Sequence, residues 1–233
     1  MLSKKWLVNG GIILGVVTAT ILSASWLYPV LNVSGESMTP SIKPHDSLLA
    51  QRWFDSPQTH DIFAIDQSLL GPSEVKHHGN TYLKRIVGTP GDTLTFRLRD
   101  GQLLQINSQA INYRSTTDHK SFSLKSSHKD SVGATFASHP YLFTAGDTQY
   151  PIYQASDESF DGDAKQKSFT DLVFNYPWLK AQRKHITDQT VGTVTFTVPD
   201  DHYFALSDNR VVGIDSRHFG PVPAKSLKYK LHP

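Results

Sequence analysis

The chain has 233 residues and 26.0 kDa, with 38% hydrophobic, 11% aromatic and 19% charged side chains, enough for one large or two small packed domains. Lys+Arg 23 against Asp+Glu 21 leaves a net charge of +2, too balanced for a nucleic-acid partner. The absence of cysteine excludes a disulfide scaffold, a thiolate nucleophile, a cysteine zinc site and an iron–sulfur cluster.

Lys4 and Lys5 precede thirty residues, Trp6 to Gly35, that carry neither charge nor histidine. Ile12 to Leu22 is the apolar centre, with Trp6 on one side and Trp26 and Tyr28 on the other. Twenty-odd apolar residues at 1.5 Å rise span a hydrocarbon core of roughly 30 Å, and flanking aromatics suit its interfaces. Residues 1–30 therefore read as a cytoplasmic tip and transmembrane anchor in contact with membrane lipid. The lysines before the span keep the N-terminus inside. A cleavable secretory signal ending near Ser23-Ala24-Ser25 is the alternative. Both readings place residues 30–233 outside the cytoplasm.

Beyond the anchor the pattern changes to short strands. Ser47 to Gln51 and Ile62 to Ile65 are apolar runs bounded by turn residues, and Thr81 to Val87 and Thr93 to Leu98 alternate. Pro90-Gly91 signals a type II turn. Asp100-Gly101 suits a type I′ hairpin turn into Gln102 to Ile106. Residues 112–190 are polar with weak pattern and read as an inserted variable subdomain, with Ser168 to Lys184 its best short helix. Strands are expected again at Thr193 to Val198 and Tyr203 to Leu206. The class is mostly β, with a catalytic β domain split into residues 31–111 and 191–233.

Two segments carry chemistry. In Ser34-Gly35-Glu36-Ser37-Met38-Thr39-Pro40, Gly35 and Pro40 bracket Ser37 in an irregular stretch. Ser37 is then either a turn serine or an exposed hydroxyl whose backbone N–H is free to serve as an oxyanion donor. In Tyr82-Leu83-Lys84-Arg85-Ile86-Val87, Tyr82, Lys84 and Ile86 share one strand face. Lys84 is either half of a solvated Lys-Arg pair at a sheet edge or, if that face is buried, an amine whose pKa falls until it can act as a base.

Together these segments resemble type I signal peptidase, a membrane-anchored endopeptidase with a Ser/Lys dyad. Ser207-Asp208-Asn209-Arg210 through Asp215-Ser216-Arg217 to Gly220 resembles a third box of that family, and Asp46 and Asp61-Ile62-Phe63 are further matches. The resemblance covers about residues 1–106 and 191–225. It implies a signal-peptidase-like fold of coiled antiparallel β-sheets, with Ser37 as nucleophile and Lys84 as general base. Gly35, Asp208, Asn209, Ser216 and the Asp215/Arg217 ion pair would support the site, and Val33, Met38, Ile42, Tyr82 and Leu83 would line pockets for small residues at −1 and −3. The implied substrates are signal-peptide-bearing preproteins, cut at the outer face of a bacterial cytoplasmic membrane.

The chain departs from the family at three positions. Gly35 replaces the hydroxyl residue that many members use as an oxyanion donor. Gly213 replaces a serine that hydrogen-bonds the lysine, which leaves Lys84 to be oriented by Ser216, a water or a backbone carbonyl. Ser207 stands where the family usually has glycine. On this reading Gly213→Ser is expected to be tolerated. The variant box is also similar to the plasmid-transfer peptidases that mature conjugative pilins, and a catalytically silent anchored binding homologue is the alternative from another class.

Other chemistries have less behind them. No histidine accompanies a G-x-S-x-G elbow. His77-His78 point to opposite sides of an extended chain, and no H-E-x-x-H is present, so neither a metal nor a cofactor is expected. Lys225 to Lys230 reads as a solvated basic tail.

Overall fold

The computed structural model describes residues 4–70, 81–98, 100–115, 120–124, 134–145, 147–155, 176–182 and 192–232. A helix, α1 (Lys4–Leu27), leads into β1 (Val30–Asn32), β2 (Ser47–Gln51), β3 (Ile62–Asp66) and β4 (Thr81–Gly88). Next come β5 (Thr93–Arg97), β6 (Gln102–Ile106), β7 (Gln109–Ala110), β8 (Asn112–Ser115), β9 (Lys120–Leu124), β10 (Ala134–Ala145) and β11 (Thr148–Ala155). A short helix α2 (Pro177–Gln182) precedes β12 (Thr193–Thr197) and β13 (His202–Leu206). The chain closes with α3 (Ser216–Phe219), β14 (Val222–Pro223) and β15 (Leu227–Leu231).

Among the described residues the strands form three antiparallel sheets. The largest runs β1-β2-β15-β3-β4-β13-β14, and all its strands come from residues 30–88 and 202–231. A second runs β12-β5-β6-β7, and the third holds β11-β10-β8 with β9 paired to β10.

Strand β4 lies between β3 and β13, so both of its edges are paired. Its alternating side chains feed different apolar clusters. Ile86 packs with Phe63, Ile65, Ala205 and Phe219, whereas Val87 faces Leu94, Phe96, Phe204 and Leu206. Leu83 touches a third cluster containing Val33, Met38, Ile42, Ile62 and Ala64. The sheet-edge reading of Lys84-Arg85 is therefore incorrect, since both residues sit on a central strand. Phe143, Tyr150, Ile152 and Leu179, from the polar-rich stretch, pack into the same cluster as Val87.

The turns differ from expectation in one place. Gly91 has φ 85° and the Asp92 N–H donates to the Thr89 carbonyl at 3.0 Å, the geometry a Pro-Gly type II turn requires. The hairpin between β5 and β6 forms, but not through a two-residue type I′ turn. Gly101 has φ 63° while Asp100 does not have positive φ. The Asp100 carboxylate is occupied by the Arg97 guanidinium and by the Gln102 N–H, which holds a longer loop. The two consecutive positive φ values that type I′ needs occur instead at Asn107 (49°) and Ser108 (66°), between β6 and β7. Of the helix expected at 168–184, residues 177–182 are helical; 168–175 and 183–184 lie outside the described residues, as do His77 and His78.

Helix α1 has 24 residues, about 36 Å at 1.5 Å per residue. Its side chains are described from Gly11 onward, and among the described residues no helix is long and apolar enough to cross a membrane. Gly11 to Trp26 are exposed all round, so nothing among the described residues covers this apolar surface. The hydroxyls of Thr18, Thr20, Ser23 and Ser25 donate to carbonyls three or four residues earlier. Arg52 ties the helix end to the sheet. Its Nε donates to the Trp26 carbonyl at 3.0 Å, and its guanidinium lies 4.6 Å from the Trp26 ring and 5.0 Å from that of Tyr229.

Candidate active site

Ser37 sits in a turn between β1 and β2, half-buried, with its neighbours Met38 and Thr39 buried. Asn209, 172 positions later, holds this turn from two sides. Its backbone N–H donates to the Ser37 carbonyl at 3.0 Å. Its Nδ2 donates to the Thr39 hydroxyl at 3.1 Å and to the Glu36 carbonyl at 3.3 Å. Among the described residues the Ser37 N–H has no acceptor, which leaves it available to an oxyanion. Gly35 is exposed, a Cβ there would meet nothing within 4 Å, and as a glycine it brings no side-chain donor to the oxyanion.

Lys84 reaches the same point from β4. Its Nζ donates to Ser37 Oγ at 3.2 Å and to its neighbour's carbonyl, that of Leu83, at 2.8 Å. The side chain is 1% exposed, and Nζ lies 5.2 Å from the Tyr82 ring. Burial lowers its pKa to about 8; Asp215 and Asp208 pull it back up, and Arg217 adds to the fall. An amine with a pKa near 8 is unprotonated in about a tenth of molecules at pH 7 and about half at pH 8. Beside a serine hydroxyl it can accept that proton.

Two buried ion pairs accompany Ser37 and Lys84. The Arg217 guanidinium grips the Asp215 carboxylate at both oxygens, 2.8 and 2.9 Å. Asp215 also caps α3 and accepts from the Ser207 N–H at 3.1 Å. Burial alone would raise the Asp215 pKa, but Arg217 and His218 hold the carboxyl well below the usual range. Ser216 Oγ accepts from the Ala205 N–H at 3.0 Å, which ties α3 to β13. It is the Leu83 carbonyl, not Ser216, that contacts Lys84.

The second pair joins Arg85 to Asp208, 2.8 and 2.6 Å at the two carboxylate oxygens. Arg85 was not singled out from the sequence; its place beside Lys84 on a strand buried on both faces was the available signal. Tyr176 was also missed, although its hydroxyl accepts from Arg217 Nη1 at 3.1 Å and its ring lies 4.5 Å from that guanidinium. It comes from the stretch with the weakest sequence pattern.

Of the five expected pocket residues, Val33, Met38, Ile42 and Leu83 share one apolar cluster. Tyr82 lies on the other face of β4 and stacks on Phe219 with 6.2 Å between ring centroids. Tolerance of Gly213→Ser is not supported. A Cβ at residue 213 would fall 2.0 Å from Ser207 Oγ, 2.1 Å from Ser207 Cβ and 2.7 Å from the Asn209 carbonyl oxygen, so no side chain fits unless both Ser207 and the Asn209 backbone move.

The model of the family described as signal peptidase, peptidase S26, matches residues 3–231. The chain belongs to that family. Among relatives of this S26 peptidase is a signal peptidase I of Buchnera aphidicola subsp. Baizongia pistaciae, 27% identical over 215 residues. That match covers 84% of this chain but only 65% of the Buchnera protein. A signal peptidase I of Streptococcus pneumoniae serotype 4 is 23% identical over 235 residues, covering 99% of this chain and 95% of that one. A crystal structure of a signal peptidase I from Enterococcus faecalis V583 aligns over 77% of this chain and all of that one, at 20% identity and a TM-score of 0.33, too loose a match to bear on the fold.

Proposed function

We propose that this S26 peptidase removes signal peptides from exported preproteins through a Ser37/Lys84 dyad, cutting after small residues at −3 and −1. The observation that carries the reading is the 3.2 Å approach of a buried lysine Nζ to Ser37 Oγ. In the neutral amine the direction of that hydrogen bond reverses. Lys84 takes the Ser37 proton as Oγ attacks the scissile carbonyl, and the Ser37 N–H donates to the oxyanion. The protonated Lys84 returns its proton to the leaving amine. Water, activated by the same amine, then releases the acyl-enzyme. Val33, Met38, Ile42 and Leu83 are apolar, as small side chains at −1 and −3 require, and Tyr82, on the same face of β4 as Lys84, flanks the amine.

Membrane anchoring by α1, with the remaining chain on the outer face of a bacterial cytoplasmic membrane, belongs to the same proposal. It is supported by the uncharged run from Trp6 to Gly35, the uncovered apolar surface, and hydroxyls bonded back into the helix, which need no water. Pro29 to Ser37 is eight residues, so the nucleophile lies at most roughly 28 Å along the chain from the anchor. That keeps the dyad close to where a cleavage site emerges from lipid. The anchor (1–30), a catalytic β domain (31–111 and 191–233) and an inserted subdomain (112–190) are the proposed divisions.

The test is cleavage of a preprotein by the full chain in detergent. Wild type is expected to release the mature N-terminus, and Ser37→Ala and Lys84→Ala to leave the preprotein intact. Retained activity in Ser37→Ala contradicts the dyad. Separately, carbonate-washed membranes should keep the protein, and recovery in the wash contradicts the anchor.

A further inference from the structure

Lys84 has one hydrogen-bonding group too many. A neutral amine offers one lone pair and two N–H donors. The lone pair serves the Ser37 hydroxyl and one N–H serves the Leu83 carbonyl. Among the described residues nothing accepts from the second N–H. At 1% exposure, bulk water does not reach it either.

A matching vacancy lies across the sheet. On β13, Ala205 is the partner of Ile86 and Leu206 the partner of Arg85. One further step of that antiparallel register sets Ser207 level with Lys84, with both side chains on the same face. Ser207 is fully buried, and among the described residues its hydroxyl has no hydrogen-bond partner. A buried hydroxyl without a partner costs free energy unless some state of the protein uses it. Its backbone is pinned independently, because the Ser207 N–H donates to Asp215 Oδ2. Room for its side chain is made by residue 213, where any Cβ would collide with Ser207 Oγ. Gly213 is thus the residue that allows a hydroxyl at position 207.

We infer that Ser207 is a positioning residue for the base: its Oγ, after a turn about χ1, accepts the second N–H of the Lys84 amine and aims the lone pair at Ser37. The inference rests on the Ser37/Lys84 reading and adds a third member to it. A serine rotamer change needs no backbone motion. The hydroxyl oxygen also accepts from the ammonium form, more strongly than from the amine. Its loss therefore favours the amine, against a constant background from the other groups that face Lys84, which are Asp215, Asp208, Arg217 and Tyr82.

The experiment uses the full chain in detergent with a preprotein substrate, and measures kcat, KM, the pH profile and the melting temperature. Ser207→Ala is expected to lower kcat at least tenfold with KM within twofold, to move the alkaline-rising limb to lower pH, and to leave the melting temperature unchanged or higher, since no existing hydrogen bond is lost. Wild-type kcat and an unshifted limb in Ser207→Ala, with Lys84→Ala inactive, overturn the inference and leave the dyad standing. Full activity in Lys84→Ala removes the dyad itself, a different failure.

Discussion

The Arg85 guanidinium meets the Asp208 carboxylate edge to edge, Nε to Oδ1 at 2.8 Å and Nη2 to Oδ2 at 2.6 Å. Arg85 also donates to the His60 carbonyl at 3.0 Å and lies 4.1 Å from the Tyr150 ring. Asp208 immediately precedes Asn209, which holds the Ser37 turn. One ion pair therefore couples the far face of the lysine strand to the segment that places the serine.

Removing one side of that pair leaves the other charge buried. Asp208→Ala should cost about 3–5 kcal/mol of folding free energy, read as a lower urea midpoint. A loss under 1 kcal/mol would show that Arg85 finds another partner and that the pair does not hold the fold together.

Asn209→Ala keeps the backbone bond to the Ser37 carbonyl but loses the Nδ2 contacts to Thr39 and Glu36. The Val211 N–H also loses its bond to Asn209 Oδ1, so three side-chain hydrogen bonds go and about 1–3 kcal/mol of destabilisation is predicted. Because the Ser37 turn loosens, kcat should fall more than KM rises. An effect confined to KM would place Asn209 in substrate binding.

Lys84 costs stability. Its pKa falls from 10.5 to about 8 on burial, so between these values the unfolded chain holds a proton that the folded chain has released. Stability therefore rises with pH from about 8 to 10.5, and below 8 the folded state carries the full penalty of about 3 kcal/mol. Lys84→Met should raise the melting temperature at pH 7, and its advantage should shrink as pH climbs through that window. A variant less stable than wild type at pH 7 would mean that the amine's contacts to Ser37 and Leu83 outweigh its desolvation.

Local pattern carried much of this account. The strands at 47–51, 62–66, 81–88, 93–97, 102–106, 193–197 and 202–206 follow period-two alternation and apolar runs bounded by turn residues. Ser37 and Lys84, 47 positions apart in the chain, lie side by side. What local pattern could not supply are partners fixed by topology. Arg85 finds Asp208 across 123 positions and Arg217 finds Tyr176 across 41. The mutual exclusion of side chains at Ser207 and Gly213 depends on a tight backbone turn. The type I′ turn was missed at Asn107-Ser108 because Asp-Gly is the stronger dipeptide signal. At Asp100 that signal is overridden by a carboxylate already engaged with Arg97 and Gln102.

The central claim is that a buried, deprotonated Lys84 activates Ser37. Its most direct test is kcat/KM for preprotein cleavage from pH 6 to 10, with wild type beside Lys84→Arg. With the amine pKa near 8, the wild-type rate should rise about tenfold per pH unit below 8 and level off above it. Lys84→Arg should be inactive throughout, since guanidinium keeps its proton across this range. A wild-type profile flat from pH 6 to 9, or substantial turnover by Lys84→Arg, would contradict the account and show that the base lies elsewhere.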